Sequence, residues 1–326
     1  MDGARVMITY IEAIREGLAE EMRRDPSVFV IGEDIGHFGG AFKATAGLLD
    51  EFGPQRVVDT PIAEALIMGT SIGAAIRGQR PVAEMQFADF VTSGFSQLVQ
   101  NAATFHYRLK VSVPMVVRLP SGGGVGGGPF HSRNPEAWFC HTPGLKVVAP
   151  TTAADAKGLI KAAIRDPDPV IYLEQKWMYR RVKGEVDDRV VEFGQARVCQ
   201  EGHHATVVAY GNGVPMAIEA AKRVRESGYE VEVLDLRTLI PWDHQSVLGS
   251  VSKTGRLLLV SEATRTGGFI SEVAATVADL AFDQLDAPIA RVTALDSPTP
   301  SEKNLEHYFR PNEDKVTAAL MELLEY

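Results

Sequence analysis

Glu64 stands in the stretch DTPIAEA, Asp59 to Ala65, with Pro61, Ile62, Ala63, Ala65, Leu66 and Ile67 around it. A carboxyl group among such neighbours is expected to be partly desolvated, which raises its pKa and suits it to hold or exchange a proton. The plainer reading is an acidic residue that favours a helix N-terminus through the dipole. A second group is His131 with Ser132, which follows six glycines packed into residues 121–128 of SGGGVGGGPFHS. An imidazole titrates near neutrality and serves as acid, base or charge stabiliser; the alternative is a solvated histidine on a surface loop. In EMQFADF, Gln86, Phe87 and Phe90 mark a third place. Phe90 there offers a flat apolar wall to a ligand, though core packing explains it equally well.

The glycine run does not read as a phosphate cradle. A P-loop needs Lys and then Ser or Thr after its glycines, and here Pro129, Phe130 and His131 follow. A dinucleotide fingerprint opens a helix in the first strand-helix unit, with an acidic residue about twenty positions on, and nothing fits that pattern well. The glycines instead permit a chain that passes close to other groups. They carry His131 to the carboxyl end of an expected parallel strand, where open α/β sheets place their sites.

Positioning these residues falls to alternating strands and helices. Thr9 and Glu12 fit a capping box, followed by Ile11, Ile14, Leu18 and Met22 at helical spacing. Strands are expected at Ser27 to Ile31, Arg56 to Val58, Pro81 to Phe87, Val113 to Leu119, Leu145 to Ala149 and Val170 to Glu174. Between them fall a helix ending near Gly53, another from Ile62 to Gly78, a long one from Asp89 to Leu109, and one from Thr152 to Arg165. Short apolar strands separated by helices imply a parallel sheet covered on both faces.

From Gln175 to Phe193 the text becomes charged and aperiodic, which reads as a linker. The alternation restarts with ATVVAYG, YEVEVLDL, RLLLVSE and IARVTA as strands, and an amphipathic helix from Glu313 to Leu324 near the end. The fold class is therefore α/β with two domains in series, 1–185 and 186–326.

Composition narrows the function. The chain has 326 residues, 45% hydrophobic and 23% charged, with a formal net charge of −9. That charge weighs against a sequence-independent grip on nucleic acid or an anionic membrane. Cys140 and Cys199 show no CxxC spacing, so neither a disulfide framework nor a zinc site is expected. The N-terminus lacks the marks of a secretion signal, and no apolar run approaches the ~18 residues of a membrane span. The expected location is the cytoplasm.

GEDIG, GGAFKAT, DTPIAEA, QFADF, FHS, PGLKVVAP, DAKGLIKAAIRD and PVIYLE together resemble one family. It is the beta subunit of the thiamine diphosphate-dependent, decarboxylating first component of 2-oxo acid dehydrogenase complexes. The resemblance extends through EVLDLRTLIPWD and GRLLLVSEA, so it covers nearly the whole chain. It implies a pyrimidine-binding, transketolase-like parallel-sheet domain followed by a transketolase C-terminal-like domain for dimerisation and core docking.

The same resemblance implies residue roles. Glu64 hydrogen-bonds the aminopyrimidine ring and so favours the imino tautomer that removes the thiazolium proton. Phe90 lies against the pyrimidine, Ile62 and Gln86 line its pocket, and Glu33 stands near the interface between pyrimidine sites. His131 faces the reacting carbon and stabilises charge or moves a proton during decarboxylation and acyl transfer to a lipoyl group. Arg133 departs from the family's frequent His-Ser-Gln, which changes the local hydrogen bonding. Met115, Ala163, Ile164, Asp166 and Asp168 match a monovalent cation site, often potassium, with Asp168 where asparagine is common; a plain RDPDP turn is the alternative.

No Gly-Asp-Gly segment occurs in the chain, whereas related enzymes use one to bind the Mg²⁺ of the diphosphate. The implied partner is an alpha subunit that holds diphosphate and metal in an α2β2 heterotetramer, alongside a lipoyl-bearing acyltransferase core. Expected activity is oxidative decarboxylation of a 2-oxo acid, with the branched-chain 2-oxoisovalerate type favoured by QFADF and RLPSGGGVGGG. Pyruvate or acetoin dehydrogenase is the alternative within the class, and a non-catalytic assembly subunit the alternative outside it.

Overall fold

The alternation of strand and helix resolves into two units in the computed structural model, which describes residues 6–326. The first unit runs to Ser121 and resumes over Trp138–Phe193; the second takes Gly122–Ala137 and Gly194–Tyr326. The chain thus leaves the first unit at the glycine run and stays in it past residue 185. The second of these has a local cause: Val191 is buried in the first unit's core and Phe193 packs against it. Met1–Arg5, part of the stretch read for a secretion signal, lie outside the described residues.

In chain order the first unit contains β1 (Val6–Thr9), α1 (Tyr10–Arg24), β2 (Val28–Gly32), α2 (Leu48–Phe52), β3 (Val57–Asp59), α3 (Glu64–Ile76), β4 (Arg80–Glu84), α4 (Ala103–Leu109) and β5 (Val116–Ser121). The short α5 (Glu136–Cys140) brings the chain back into it, followed by β6 (Lys146–Val148), α6 (Ala153–Arg165), β7 (Val170–Gln175) and β8 (Lys183–Val186). Strands β6-β7-β5-β4-β2-β3 lie side by side, and every pairing among them is parallel. Their apolar runs are buried along their length, as a sheet covered on both faces requires.

Helix α1 opens with the expected capping box: the Glu12 N–H donates to Thr9 Oγ1 and the Thr9 N–H to Glu12 Oε2. It presents Ile14, Leu18 and Met22 inward and packs closely on α6, where a Cβ at Gly17 would lie 2.5 Å from Ile160 Cγ2. Lys157 and Lys161 of α6 fix the pair through Glu16 and Glu20 at 2.7 Å. The segment read as linker contributes β8, which pairs antiparallel with β1. Short edge strands of this kind carry too few residues for an alternation to show.

The long helix expected from Asp89 to Leu109 is broken. Ala88–Gly94 is 3-10, Gln97–Ala102 is a π-type turn, and only Ala103–Leu109 is α-helical. Contact with α3 accounts for the opening: a Cβ at Gly94 would meet Met68 Cγ at 2.5 Å and the Glu64 carbonyl at 3.0 Å. The backbone there lies directly on the first turn of α3.

The second unit comprises β9 (Arg197–Gln200), β10 (Ala205–Ala209), α7 (Gly213–Arg225), β11 (Val231–Asp235), β12 (Thr238–Ile240), α8 (His244–Thr254), β13 (Leu257–Thr264), α9 (Ile270–Leu280), β14 (Ala290–Ala294), α10 (Lys303–Phe309) and α11 (Glu313–Glu325). Its sheet runs β14-β13-β10-β11-β9, parallel except for the edge strand β9. Ala217, Ala221 and Val224 of α7 share a core with Val316, Leu320 and Leu323 of α11. Among the described residues no helix is long and apolar enough to cross a membrane.

Candidate active site

Parallel register brings the carboxyl ends of three strands of the first unit level with one another. Gly32 of β2 pairs with Asp59 of β3 on one side and Glu84 of β4 on the other. The residues that follow each strand therefore emerge together, and they include Glu33, Thr60 and Gln86. The Thr60 N–H donates to the Gly32 carbonyl at 2.9 Å. Asp59 Oδ1 accepts the Gly36 N–H at 2.7 Å, and a Cβ at Gly36 would collide with that carboxylate at 2.3 Å. The glycine in GEDIG is thus a requirement of close approach.

Glu33 is buried, 6% exposed, and its Oε1 has no hydrogen-bond partner. Burial pushes its carboxyl up, the nearby Glu64 charge adds to this, and a hydrogen bond from the Ala63 N–H opposes it. Two carboxyl groups whose charges act on one another, with one oxygen of Glu33 lacking a donor, form a place that takes up a proton or a nitrogen-bound hydrogen. Thr60 Oγ1 is likewise buried and unpartnered.

Glu64 begins α3 and is half-buried. Its apolar sequence neighbours do not enclose it within this chain, since Ile62 is 82% and Leu66 57% exposed. The group that the fold does bury is Glu33. Gln86 Nε2 donates to Asp34 Oδ2 at 3.0 Å. Phe90 is half-buried and meets Phe87 edge-to-face at 5.7 Å, while Phe87 meets Phe42 at 5.4 Å. Glu33, Ile62, Glu64, Gln86 and Phe90 thus all lie at one end of the sheet, with exposed apolar surface at Ile62.

Beneath this rim lies a buried ionic network. Arg118 of β5, 1% exposed, binds Glu174 of β7 through Nε–Oε1 at 2.6 Å and Nη2–Oε2 at 2.8 Å, and its Nη1 binds Glu84. Tyr179 donates its hydroxyl to Glu174 at 2.6 Å. Burial pushes the Glu84 carboxyl up against the opposing pull of Arg118. One guanidinium answers two carboxylates, with each of its three nitrogens bonded to a carboxylate oxygen.

His131 belongs to the second unit, as does the glycine run. It is half-buried, and its N–H reaches the Gly128 carbonyl at 3.3 Å. Arg133 donates its Nε to the Pro129 carbonyl at 3.0 Å and accepts the Gly122 N–H at 3.0 Å, closing the loop. The side chain next to His131, Ser132, is 2% exposed with an unpartnered Oγ. Glycine amides in this run bind carboxylates of the same unit: Gly123 to Glu262, and Gly124 and Gly126 to Glu306. Neither glutamate is singled out by sequence reasoning. The available signal is an acidic residue interrupting the apolar run of β13, and a short helix at Lys303–Phe309 that passes unnoticed among polar residues.

Glu136, five residues after His131, is buried with its Oε1 accepting the Tyr210 hydroxyl at 2.6 Å. Burial pushes its carboxyl up to about 7, with the Tyr210 hydrogen bond opposing and the Glu262 charge assisting.

The residues matched to a cation gather where α6 ends and β7 begins. Met115 accepts the Val170 N–H at 3.0 Å, which brings it beside this turn. Arg80 Nη1 donates to the carbonyls of Ile164 at 2.7 Å and Asp166 at 3.1 Å. Lys146 Nζ meets Asp166 Oδ1 at 2.6 Å, and His106 Nδ1 meets Asp168 Oδ1 at 2.7 Å. Arg80 and Lys146 already place positive charge on these carbonyls and carboxylates, and each carbonyl keeps a second lone pair. The backbone oxygens at this turn are of the type a monovalent cation takes, and basic side chains already occupy part of their capacity.

Residues 6–182 match the family model "Transketolase, pyrimidine binding domain", and residues 194–316 match "Transketolase, C-terminal domain". The 2-oxoisovalerate dehydrogenase subunit beta of Bacillus subtilis is 50% identical, covering 98% of this chain and 99% of its own. The pyruvate dehydrogenase E1 component subunit beta of Acholeplasma laidlawii is 44% identical over 97% and 98%. Among solved structures, an inactive beta4 tetramer of a split-gene transketolase superposes with a TM-score of 0.78 at 23% identity, covering 98% of each chain; it shows the fold.

Proposed function

This chain belongs to the family of E1 beta subunits of the thiamine diphosphate-dependent 2-oxo acid dehydrogenases, and from that premise we propose that it forms the pyrimidine-binding half of such an enzyme. The substrate class is a branched-chain 2-oxo acid of the 2-oxoisovalerate type, supported by the 50% identity to the Bacillus relative. Pyruvate is the competing substrate, supported by the 44% identity to pyruvate-type relatives. Its acyl acceptor is the lipoyl group of an acyltransferase core, and its location is the cytoplasm.

Thiamine diphosphate, when bound, supplies the carbon nucleophile and electron sink that decarboxylation of a 2-oxo acid needs. The observation that carries the reading is the unpartnered Oε1 of buried Glu33 in reach of the Glu64 charge. Glu64 hydrogen-bonds a ring nitrogen of the pyrimidine and exchanges a proton with it, while the buried Glu33 carboxyl beside it, pushed up by burial and by the Glu64 charge, favours its protonated form. Phe90 and Ile62 wall the heterocycle, and Gln86, held by Asp34, orients it. His131 stabilises charge or moves a proton at Nδ1 or Nε2 beside the reacting carbon.

The diphosphate and its Mg²⁺ fall to an alpha subunit in an α2β2 assembly, because this sequence contains no Gly-Asp-Gly. A monovalent cation at Met115, Ala163, Ile164, Asp166 and Asp168 steadies the turn after α6. Melting that rises with potassium and not with choline supports that assignment, and identical melting in the two salts removes it.

Purified chain with thiamine diphosphate and Mg²⁺ is expected to leave 3-methyl-2-oxobutanoate untouched, and to decarboxylate it once the alpha subunit is added. Full activity of the chain alone refutes the divided site. A strong preference for pyruvate reassigns the substrate.

A further inference from the structure

The glycine run binds anions after all, but the anions are its own chain's carboxylates. Gly122, Gly124, Gly126 and Gly128 have φ of +81°, +81°, +72° and +65°. Alternating left-handed residues turn successive N–H groups toward one side, making a concavity suited to negative charge. Glu262 Oε1 accepts the Gly123 N–H at 2.5 Å, while Glu306 accepts the Gly124 N–H at 2.8 Å and the Gly126 N–H at 3.1 Å.

Glu262 is itself anchored, and both carboxylates are buried. Glu262 Oε2 accepts Asn212 Nδ2 at 2.7 Å and Arg310 Nη2 at 2.9 Å. Glu262 is 6% exposed and Glu306 4%. The fit leaves no space for a side chain: a Cβ at Gly123 would lie 2.9 Å from Glu306 Oε1 and 3.0 Å from Arg310 Cδ. At Gly128 it would lie 2.2 Å from Ser301 Oγ, and at Gly127 it would lie 2.9 Å from His131 Cβ. Packing thus passes from the clamped glycines to the backbone that bears the imidazole.

We propose that Glu262 and Glu306, with Arg310, are positioning residues that fix His131 by gripping the glycine amides. The proposal rests on the functional reading above, in which His131 serves the reacting centre. A loop of six glycines is by itself too free to hold an imidazole to the accuracy that catalysis needs. Two buried carboxylates remove that freedom without touching substrate. A neutral glutamine at 306 accepts through one oxygen where glutamate uses two, so Glu306→Gln loosens the loop and keeps the volume.

The test is a double-mutant cycle in the enzyme reconstituted with its alpha subunit, with His131→Ala, Glu306→Gln and the pair. Expected for Glu306→Gln is a fall of about 10- to 100-fold in kcat, with thiamine diphosphate affinity, KM and melting temperature near wild type. In the His131→Ala background the same change is expected to cost nothing further, since no imidazole is left to position. Independent, multiplicative losses overturn the clamp, as does a wild-type kcat for Glu306→Gln where His131→Ala is impaired. His131→Ala with full activity instead overturns the functional reading of the histidine, and the clamp with it. Should Glu306→Gln fail to fold, Gly124→Ala strains the same loop from the other side, and the same two outcomes decide.

Discussion

Glu33 lies buried beside Glu64, and the Glu64 charge adds to the burial that disfavours a charge on Glu33. This arrangement lowers the stability of the free chain, because the folded state favours a proton on Glu33. A carboxyl whose folded pKa is raised gives full stability below its unfolded value of 4.5 and loses it as pH rises through the folded value. The isosteric Glu64→Gln removes the opposing charge. We expect the free chain to melt at or slightly above the wild-type temperature near pH 7, with the difference closing below about pH 4. Decarboxylation by the reconstituted variant should fall by about 100-fold or more. A lower melting temperature together with intact turnover would falsify the assignment.

Removal of Arg118 strands two buried carboxylates, Glu84 and Glu174. Arg118→Met is expected to destabilise the chain by about 3–5 kcal/mol in urea unfolding, the range found when one partner of a buried ion pair is deleted. Tyr179→Phe removes one hydrogen bond to Glu174 and is expected to cost about 1–3 kcal/mol. If the two changes destabilise equally, the guanidinium is not the centre of the network.

Glu136 supplies a pH dependence with a definite sign. Its carboxyl is pushed up from 4.5 to about 7, so its contribution is complete below about pH 4.5 and vanishes as pH rises through about 7. The loss amounts to roughly 3 kcal/mol, at 1.36 kcal/mol for each pKa unit. Tyr210 Oη, 2.6 Å from Glu136 Oε1 and 2.7 Å from Ser261 Oγ, supplies a polar partner for an amide at the same place. Glu136→Gln should therefore flatten the stability profile between pH 5 and 8, read by melting in matched buffers. An unchanged slope sinks the idea that this carboxyl titrates there.

Much of the architecture was legible because buried parallel strands are short, continuous apolar runs, and VFVIG, VVRLPS and VIYLEQ announce themselves. The capping box at Thr9 and Glu12 was equally readable, since both partners lie within one turn. What escaped was structure whose cause lies elsewhere in the chain. The expected helix from Asp89 breaks because Gly94 rests on α3, and β8 forms because β1 is there to pair with it. Arg133, a departure from the family's usual residue, finds its partner at Pro129 within the same loop.

Local periodicity determined the α/β class, and resemblance across several motifs determined the family, because both are carried by short stretches of sequence. Tertiary structure alone decided which carboxyl is desolvated and what the glycines hold. Glu33, not Glu64, is the buried acid of the rim, since strand register rather than sequence neighbours sets exposure. Glu262 and Glu306 meet Gly123 and Gly124 across 139 and 182 positions of chain. Burial and long-range hydrogen bonding are properties of the packed chain, so no local stretch of sequence displays them.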